Sequence, residues 1–159
     1  MRPLSRGYTE AKSSDPREAP AINPRYLSEQ TDRRAIIGGL RIIRRLFAAP
    51  ALAQYCGAEI LPGAHIESDD ELLDYARHKG STVYHATCTC KMGSDQTAVV
   101  DDQLRVHGLE RLRVIDASVM PTVTSNNTNA PTIMIAEKGA EQIRRSARAA
   151  ETTISAKAA

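Results

Sequence analysis

Cysteine is scarce in this chain, and long apolar runs are absent from it. Three cysteines in 159 residues are too few, and odd in number, for a disulfide framework, so a reducing compartment is expected. No stretch reaches the roughly 18 consecutive apolar residues that suggest a membrane span. Residues 1–5 lack the apolar core of a signal peptide. Together these absences predict a cytoplasmic protein without a membrane span.

An excess of one charge sign is also lacking. The chain has 21 Lys and Arg residues against 19 Asp and Glu residues, for a formal net charge of +2. Because the two signs are interleaved along most of the sequence, no concentrated basic face is expected, and no nucleic-acid partner is predicted. With 42% hydrophobic and 25% charged residues the composition is that of an ordinary globular protein.

Two helices are predicted in the first half of the chain. Apolar residues recur at helical spacing over residues 32–47. Gly38-Gly39 in the middle of that helix predicts a close approach to another helix or a sheet, because each Gly costs about 1 kcal/mol relative to Ala. The second helix begins at Ser68, which has capping-box spacing to Glu71, and should end at Gly80.

Short strands are predicted at residues 7–12, 104–106 and 112–116, where apolar and polar residues alternate. A last helix is predicted to begin near Pro131, because proline is favoured at the first helical position. The Ala- and Ser-rich segment 147–159 lacks apolar weight and is predicted to be a disordered tail.

His85 is the candidate catalytic residue in a loop of small polar residues. A neutral imidazole titrates near working pH, so His85 is suited to act as a general base. The alternative is a structural histidine whose hydrogen bonds are satisfied, and composition alone favours that alternative. The other three histidines have no comparable setting, and His78 at the end of a predicted helix is interpreted as structural.

His85 also lies close in sequence to Cys88 and Cys90, which raises the hypothesis of a small zinc module. Zinc accepts these ligand types, but structural zinc sites need four ligands and usually pair their cysteines with two residues between them. Here the pair has a single intervening residue. Reduced thiols acting as small hydrophobic side chains are the favoured interpretation, and no metal is predicted.

The segment 126–132 is rich in Asn and Thr and leads into the last predicted helix. One interpretation is a turn-rich connector. The other is a site for negative charge, because side-chain amides then stand beside the unpaired N–H groups of a helix N-terminus.

Several sequence blocks, taken together and in this order, resemble the C-terminal part of the glucose–methanol–choline (GMC) family of FAD-dependent oxidoreductases, in particular its choline-dehydrogenase-like alcohol dehydrogenases. The resemblance covers roughly residues 1–145. The blocks are residues 2–7 (RPLSRG), 24–27 (PRYL), 84–93 (YHATCTCKMG), 104–108 (LRVHG), 112–121 (LRVIDASVMP) and 127–138 (NTNAPTIMIAEK).

The resemblance implies an α+β fold. Residues 1–95 would be a portion of the substrate domain, an antiparallel sheet with helices, and residues 96–146 would return to the FAD-binding domain as its last strand and helix. It also implies an enzyme that oxidises the CH–OH group of a small-molecule alcohol. His85 matches the histidine that takes the hydroxyl proton while hydride passes to flavin N5, and Asn127 matches the second active-site position, which hydrogen-bonds the substrate oxygen.

Four further residues match positions that contact FAD in the family. Asp116 and Ala117 correspond to a pair that lies along the FAD chain. Asn129 and Thr132 correspond to the loop and helix start that approach the flavin ring. The chain departs from the family at three positions. Ala86, beside His85, stands where Pro is common, Asp102 stands where Pro is frequent, and Asn126, beside Asn127, stands where Gly is common.

The dinucleotide-binding fingerprint G-x-G-x-x-G does not occur in the 159 residues. The resemblance therefore implies a C-terminal fragment that is incomplete alone and needs the N-terminal FAD-binding part. Without that part, exposed hydrophobic surface and low stability are expected. A non-catalytic remnant, or a subunit that depends on a partner, is the alternative hypothesis.

Overall fold

Two compact units make up the chain in the computed structural model, which describes the backbone of residues 2–158 and the side chains of residues 2–149. The first unit is Pro3–Val83, and the second runs from Tyr84 onward and includes Arg2. The loop that carries His85 therefore belongs to the second unit. The boundary between substrate-domain and FAD-domain portions near residue 95 stays a prediction.

The first unit opens with a two-stranded antiparallel sheet. Strand β1 (Tyr8–Glu10) pairs with strand β2 (Ala21–Asn23), so the strand predicted at residues 7–12 is confirmed in its central part. Gly7 allows the close backbone approach that starts this pairing, because a Cβ atom there would lie 2.1 Å from the carbonyl oxygen of Asn23. Both strands are largely exposed, so the core of this unit is formed by helices.

Helices α1 (Gln30–Phe47), α2 (Pro50–Ala53) and α3 (Asp69–Lys79) complete the first unit. The capping box predicted at the start of α3 is present, since Ser68 accepts from the Glu71 amide and Glu71 accepts from the Ser68 amide. Helix α1 packs against α3, and their fully or nearly fully buried apolar side chains are Ile37 and Leu72.

The close approach predicted at Gly38-Gly39 is wrong within the described residues. A Cβ atom added at either glycine would meet no heavy atom within 4 Å. The contact with α3 is made by another face of α1, where Ile37 is 8% exposed. The glycine pair therefore lowers the helix propensity of this part of α1 and is not required by packing.

The connection between α2 and α3 is held by one guanidinium group. Arg44 binds the carboxylate of Glu59 at 2.8 Å and donates to the carbonyl oxygens of Gly63 (3.0 Å) and Ile66 (2.7 Å). The hydrogen bonds from Arg44 keep the pKa of Glu59 below its ordinary value. A long loop without secondary structure is thereby ordered by a side chain of α1.

Asp32 joins the N-terminal segment to the first turn of α1. Its carboxylate accepts hydrogen bonds from the backbone amides of Leu4 (2.9 Å) and Ser5 (2.7 Å) and from the Ser5 hydroxyl. Partial burial raises the pKa of Asp32, but the hydrogen bonds outweigh that effect, and the pKa lies below its ordinary value.

We expect this contact to weaken in acid and in Asp32→Asn. Because the pKa is lowered in the folded chain, the stabilisation is complete above the ordinary carboxyl pKa of about 4 and is lost as the pH falls through the lower folded value. Amide hydrogen exchange of Leu4 and Ser5 should lose about tenfold in protection in Asp32→Asn at neutral pH. Asp15→Asn, which removes a carboxylate bonded to Arg17, should leave that protection unchanged. Equal protection in wild type and Asp32→Asn would contradict the assignment.

The second unit is built around a core of five buried apolar residues: Val100, Leu104, Val119, Met120 and Ile135. The strands predicted at residues 104–106 and 112–116 are wrong as continuous strands. They are reduced to isolated bridges, Val100 to Val106 and Arg105 to Arg113. The reason is local backbone conformation, because Leu104 (φ 63°) and Arg111 (φ 62°) are left-handed and interrupt the extended chain.

Helix α4 (Asn129–Ala158) begins two residues before Pro131, which lies in its first turn. The disordered tail predicted at 147–159 is wrong for the backbone of 147–158, which is helical, as the strong helix formers Ala, Glu and Lys favour. The side chains of residues 150–159 and the terminal residues Met1 and Ala159 lie outside the described part. In residues 2–158 no helix combines the length and apolarity needed to cross a membrane.

Large apolar side chains are exposed in both units, as the sequence predicts. On α1 the most exposed is Phe47 at 56%, and on α4 Ile133 is equally exposed at 56%. Others on these two helices are Ile36, Ile42, Ile43, Leu46, Met134 and Ile143. Several exposed apolar side chains on one helix are typical of a surface that contacts another protein part.

Candidate functional site

The loop around His85 is held in an unusual backbone conformation. Tyr84 (φ 61°) and Cys88 (φ 73°) are both left-handed and lie on either side of the segment 85–87. A non-glycine residue in this region costs of order 1–3 kcal/mol, and such residues concentrate at functional sites. The half-buried His85 side chain is therefore positioned by a strained loop and not by a regular element.

His85 meets the loop that precedes α4. Its Nδ1 atom lies 3.0 Å from the hydroxyl oxygen of Thr128, 43 residues later in the chain. Thr128 is 8% exposed and is the one polar residue among the buried residues described. This contact brings the candidate base beside Asn127 and Asn129, whose side chains are exposed on either side of Thr128.

The first turn of α4 is fastened to the same residue. The carbonyl oxygen of Thr128 accepts from the backbone amide of Thr132 at 3.0 Å and from its hydroxyl at 2.6 Å. Before the helix, the side chain of Asn126 accepts from the amide of Asn127 at 2.9 Å. Asn126 is not among the left-handed residues, so replacement of the common family glycine imposes no strain at this position.

A shallow depression opens at the N-terminus of α4. It is lined by residues 124–127 and 129–131, which contribute amide and hydroxyl groups. The first turn of α4 contains no acidic residue, so its backbone N–H groups and the positive end of the helix dipole are not neutralised. This donor set fits a group that carries or gains negative charge.

Asp116 and Ala117 lie at the start of a one-turn 3-10 helix, Ala117–Val119. The carboxylate of Asp116 accepts from the amide of Ser118 at 2.7 Å and caps this turn. The His85 loop continues beside the turn, because the amides of Cys90 and Met92 donate to the carbonyl oxygens of Ser118 (3.0 Å) and Val119 (2.8 Å). The structure thus brings His85, Asn127, Asn129 and Thr132 to one place, and it connects Asp116 and Ala117 to them through the backbone of residues 88–92.

The cysteines do not form a metal centre with His85 in the part of the chain described. No group of three or more His, Cys, Asp and Glu side chains among those residues is placed to hold a metal ion. Cys88 packs against the apolar core and contacts the Thr87 hydroxyl at 3.0 Å, as expected of a reduced thiol used as a small hydrophobic group. The zinc hypothesis therefore has no ligand set in residues 2–149.

Two of the remaining histidines make structural contacts. His78 lies in the last turn of α3 with its Nδ1 atom 2.9 Å from the carbonyl oxygen of Asp74, one turn earlier in the same helix, which agrees with its structural interpretation from sequence. His107 Nε2 lies 3.0 Å from the carbonyl oxygen of Gly93.

Thr128 is not among the site residues that the sequence predicts, although it contacts His85. A signal for it exists: a threonine at the position before a helix normally uses its hydroxyl to accept from a first-turn amide, and here the third helical residue is Pro131, which has no N–H to offer. That hydroxyl is therefore available for another partner, although the sequence does not say that the partner is His85.

Comparison with known proteins agrees with the resemblance seen in the sequence. The sequence model described as GMC oxidoreductase matches residues 3–136. The "Oxygen-dependent choline dehydrogenase" of Pseudomonas savastanoi pv. phaseolicola is 51% identical over 144 residues, which cover 91% of this chain and 25% of that protein. Pyridoxine 4-oxidase from Mesorbium loti superposes with a TM-score of 0.83 at 34% identity, covering 91% of this chain and 28% of the other.

A second solved structure, an FAD-dependent oxidoreductase from Chaetomium thermophilum, superposes with a TM-score of 0.84 at 31% identity and covers 93% of this chain and 26% of that one. These relatives are enzymes, and the solved neighbours are flavoproteins. The chain spans about a quarter of the length of the curated relative that it matches.

Proposed function

Because the chain belongs to the GMC oxidoreductase family and has the fold of the C-terminal domain of that family, we propose that it supplies the catalytic C-terminal part of an FAD-dependent oxidoreductase acting on the CH–OH group of a small alcohol. The observation that carries this proposal is the placement of His85 at the N-terminus of α4, 3.0 Å from Thr128 and beside Asn127. His85 is thereby bonded to the residue that follows Asn127, and Asn127 lines the open depression.

His85 and Asn127 have different roles toward the substrate. His85 accepts the proton of the substrate hydroxyl as general base, and the exposed Asn127 amide donates a hydrogen bond to the substrate oxygen. FAD, when bound, would supply the hydride acceptor, so that loss of the hydroxyl proton and of a hydride from the alcohol carbon would give an aldehyde. Choline is the first alcohol to test, because the curated relatives at about half identity are choline dehydrogenases.

The residues around the depression fit FAD as a group that gains negative charge. Asn129 and Thr132 at the start of α4 would stand against the flavin ring, where the unneutralised helix N-terminus stabilises such charge. Asp116 and Ala117 would lie along the rest of the cofactor. The open character of the depression supports the further proposal that a separate FAD-binding part is needed to enclose the cofactor, since G-x-G-x-x-G does not occur in these 159 residues.

The exposed apolar side chains of α1 in one unit, and those of α4 in the other, each offer a place where such a part would pack. A cytoplasmic location stays a prediction from the sequence.

The test is flavin retention in an assembly. The chain is co-expressed with the N-terminal three quarters or so of the Pseudomonas savastanoi choline dehydrogenase, which is the portion that its 25% match leaves uncovered. We expect the purified assembly to carry about one flavin, seen by absorbance, and the chain purified alone to carry none. The control is the same N-terminal portion with its own C-terminal quarter. An assembly that forms but holds no flavin, while the control does, would overturn the proposal.

A further inference from the structure

Thr128 lacks the usual task of a threonine at the start of a helix. A side chain at the position before a helix normally accepts a hydrogen bond from the second or third helical amide. In α4 the third residue is Pro131, which has no N–H. The backbone amide of Thr132 bonds to the carbonyl oxygen of Thr128 and not to its hydroxyl. The Thr128 hydroxyl instead faces the His85 ring at 3.0 Å.

Burial makes this hydroxyl contact specific. Thr128 is 8% exposed, so water has little access to compete for the hydroxyl, and a polar group removed from water is costly unless it is hydrogen-bonded. His85 is half-buried, and its loop is fixed by the left-handed residues Tyr84 and Cys88. The ring therefore has one of its two nitrogens bonded to a buried partner directly before α4.

A neutral imidazole carries its proton on one nitrogen and a lone pair on the other, and only the lone pair can take a substrate proton. We propose, building on the function assigned above, that Thr128 is a positioning residue: its hydroxyl oxygen accepts a hydrogen bond from Nδ1–H of His85 and so leaves Nε2 as the nitrogen that receives the hydroxyl proton. After that transfer both ring nitrogens carry protons, and the Nδ1–H bond to Thr128 is retained.

This arrangement has two consequences. Loss of the Thr128 hydroxyl allows the ring to adopt the other tautomer or to rotate, so a smaller fraction of the enzyme is competent for proton transfer and kcat falls. The hydroxyl does not touch the substrate, so KM changes little. A merely structural role for Thr128 would change stability and would not select a tautomer.

The experiment uses the flavin-bearing assembly with three variants of this chain. Thr128→Val keeps the shape and removes the hydroxyl, Thr128→Ser keeps the hydroxyl, and Thr97→Val is a control that removes a hydroxyl bonded to Asp95 at 2.6 Å, away from His85. We expect kcat to fall about tenfold in Thr128→Val with KM within about twofold, and to stay within about threefold of wild type in Thr128→Ser and Thr97→Val.

A direct readout of the ring accompanies the kinetics. This chain is labelled with ¹⁵N-histidine before assembly, the His85 signals are identified by their loss in His85→Gln, and the tautomer is determined at a pH where the ring is neutral. The expected result is the Nδ1–H tautomer in wild type and Thr128→Ser, and loss of that preference in Thr128→Val.

Three outcomes would overturn the assignment: the Nε2–H tautomer in wild type, an unchanged tautomer in Thr128→Val, or a Thr128→Ser variant as slow as Thr128→Val. If Thr128→Val does not fold, the tautomer of the wild-type ring and the kcat of Thr128→Ser still test the proposed role of Thr128. If the wild-type assembly oxidises no alcohol, the proposed function fails, and the tautomer measurement still tests the contact.

Discussion

Replacement of His85 by alanine is expected to lower kcat of the flavin-bearing assembly by about 10²-fold or more, because general bases contribute typically 10²–10⁴-fold. The loss should appear equally in kcat and in kcat/KM, since the base acts in the transition state and does not hold the substrate in its ground state. Flavin content should remain that of wild type, because the ring is bonded to Thr128, and the residues proposed to stand against the flavin, Asn129 and Thr132, are unchanged.

The matched control for this variant is His78→Ala. His78 also has its Nδ1 within hydrogen-bond distance of an oxygen atom, the carbonyl oxygen of Asp74, but it lies at the end of α3 in the other unit. We expect near-normal turnover in His78→Ala. A His85→Ala assembly that binds flavin and turns over at a rate close to wild type would remove His85 from the catalytic role.

The second large effect is on stability. In Gly139→Ala the new Cβ atom would lie 2.5 Å from Cγ2 and 2.9 Å from Cδ1 of Ile115. Ile115 is a branched, half-buried side chain directly before Asp116, so it has little freedom to move aside. Overpacking of this kind costs about 1–3 kcal/mol, and we expect the free energy of unfolding of the chain to fall by that amount.

Gly38→Ala is the opposite case in the same kind of element. It lies within α1, and its Cβ atom would meet nothing within 4 Å, so the alanine should raise stability by up to about 1 kcal/mol through helix propensity alone. Urea unfolding followed by circular dichroism measures both variants. Two glycine-to-alanine changes in helices are thus expected to have opposite signs, and a Gly139→Ala chain at least as stable as wild type would show that α4 does not pack on Ile115 as described.

Local signals in the sequence predicted the helices well. The Ser68 and Glu71 spacing located the start of α3, and apolar periodicity located α1 to within two residues of its observed start at Gln30. Both depend on contacts within a few residues along the chain, which the sequence displays directly. Helix α4 extends beyond its last apolar residues because Ala, Glu and Lys have high helix propensity even where no apolar face is present.

The strands predicted around Leu104 failed for a reason that the sequence does not display. Leucine and arginine are ordinarily extended or helical, so the left-handed conformations at Leu104 and Arg111 do not follow from the preferences of these residues. The close approach predicted at Gly38 and Gly39 of α1 was also wrong. The space beside both glycines is open, so they are not there to let another element pack closely.

The candidate site could be predicted only in part. Sequence blocks that resemble the GMC family indicated His85 and Asn127, but the bond between His85 and Thr128 joins residues 43 positions apart and depends on the tertiary fold. Without the family resemblance, composition alone favoured a structural histidine at this position. The proposed role of His85 therefore rests on the family for its chemistry and on the contact with Thr128 for its geometry.

The proposed oxidation of an alcohol is tested by anaerobic mixing of the flavin-bearing assembly with choline and with a panel of other primary alcohols. We expect the flavin absorbance to bleach in the wild-type assembly with one aldehyde formed per flavin, and bleaching to be about 10²-fold or more slower in His85→Ala. A wild-type assembly that carries flavin but is reduced by no alcohol, while the control with the relative's own C-terminal quarter is reduced, would contradict it.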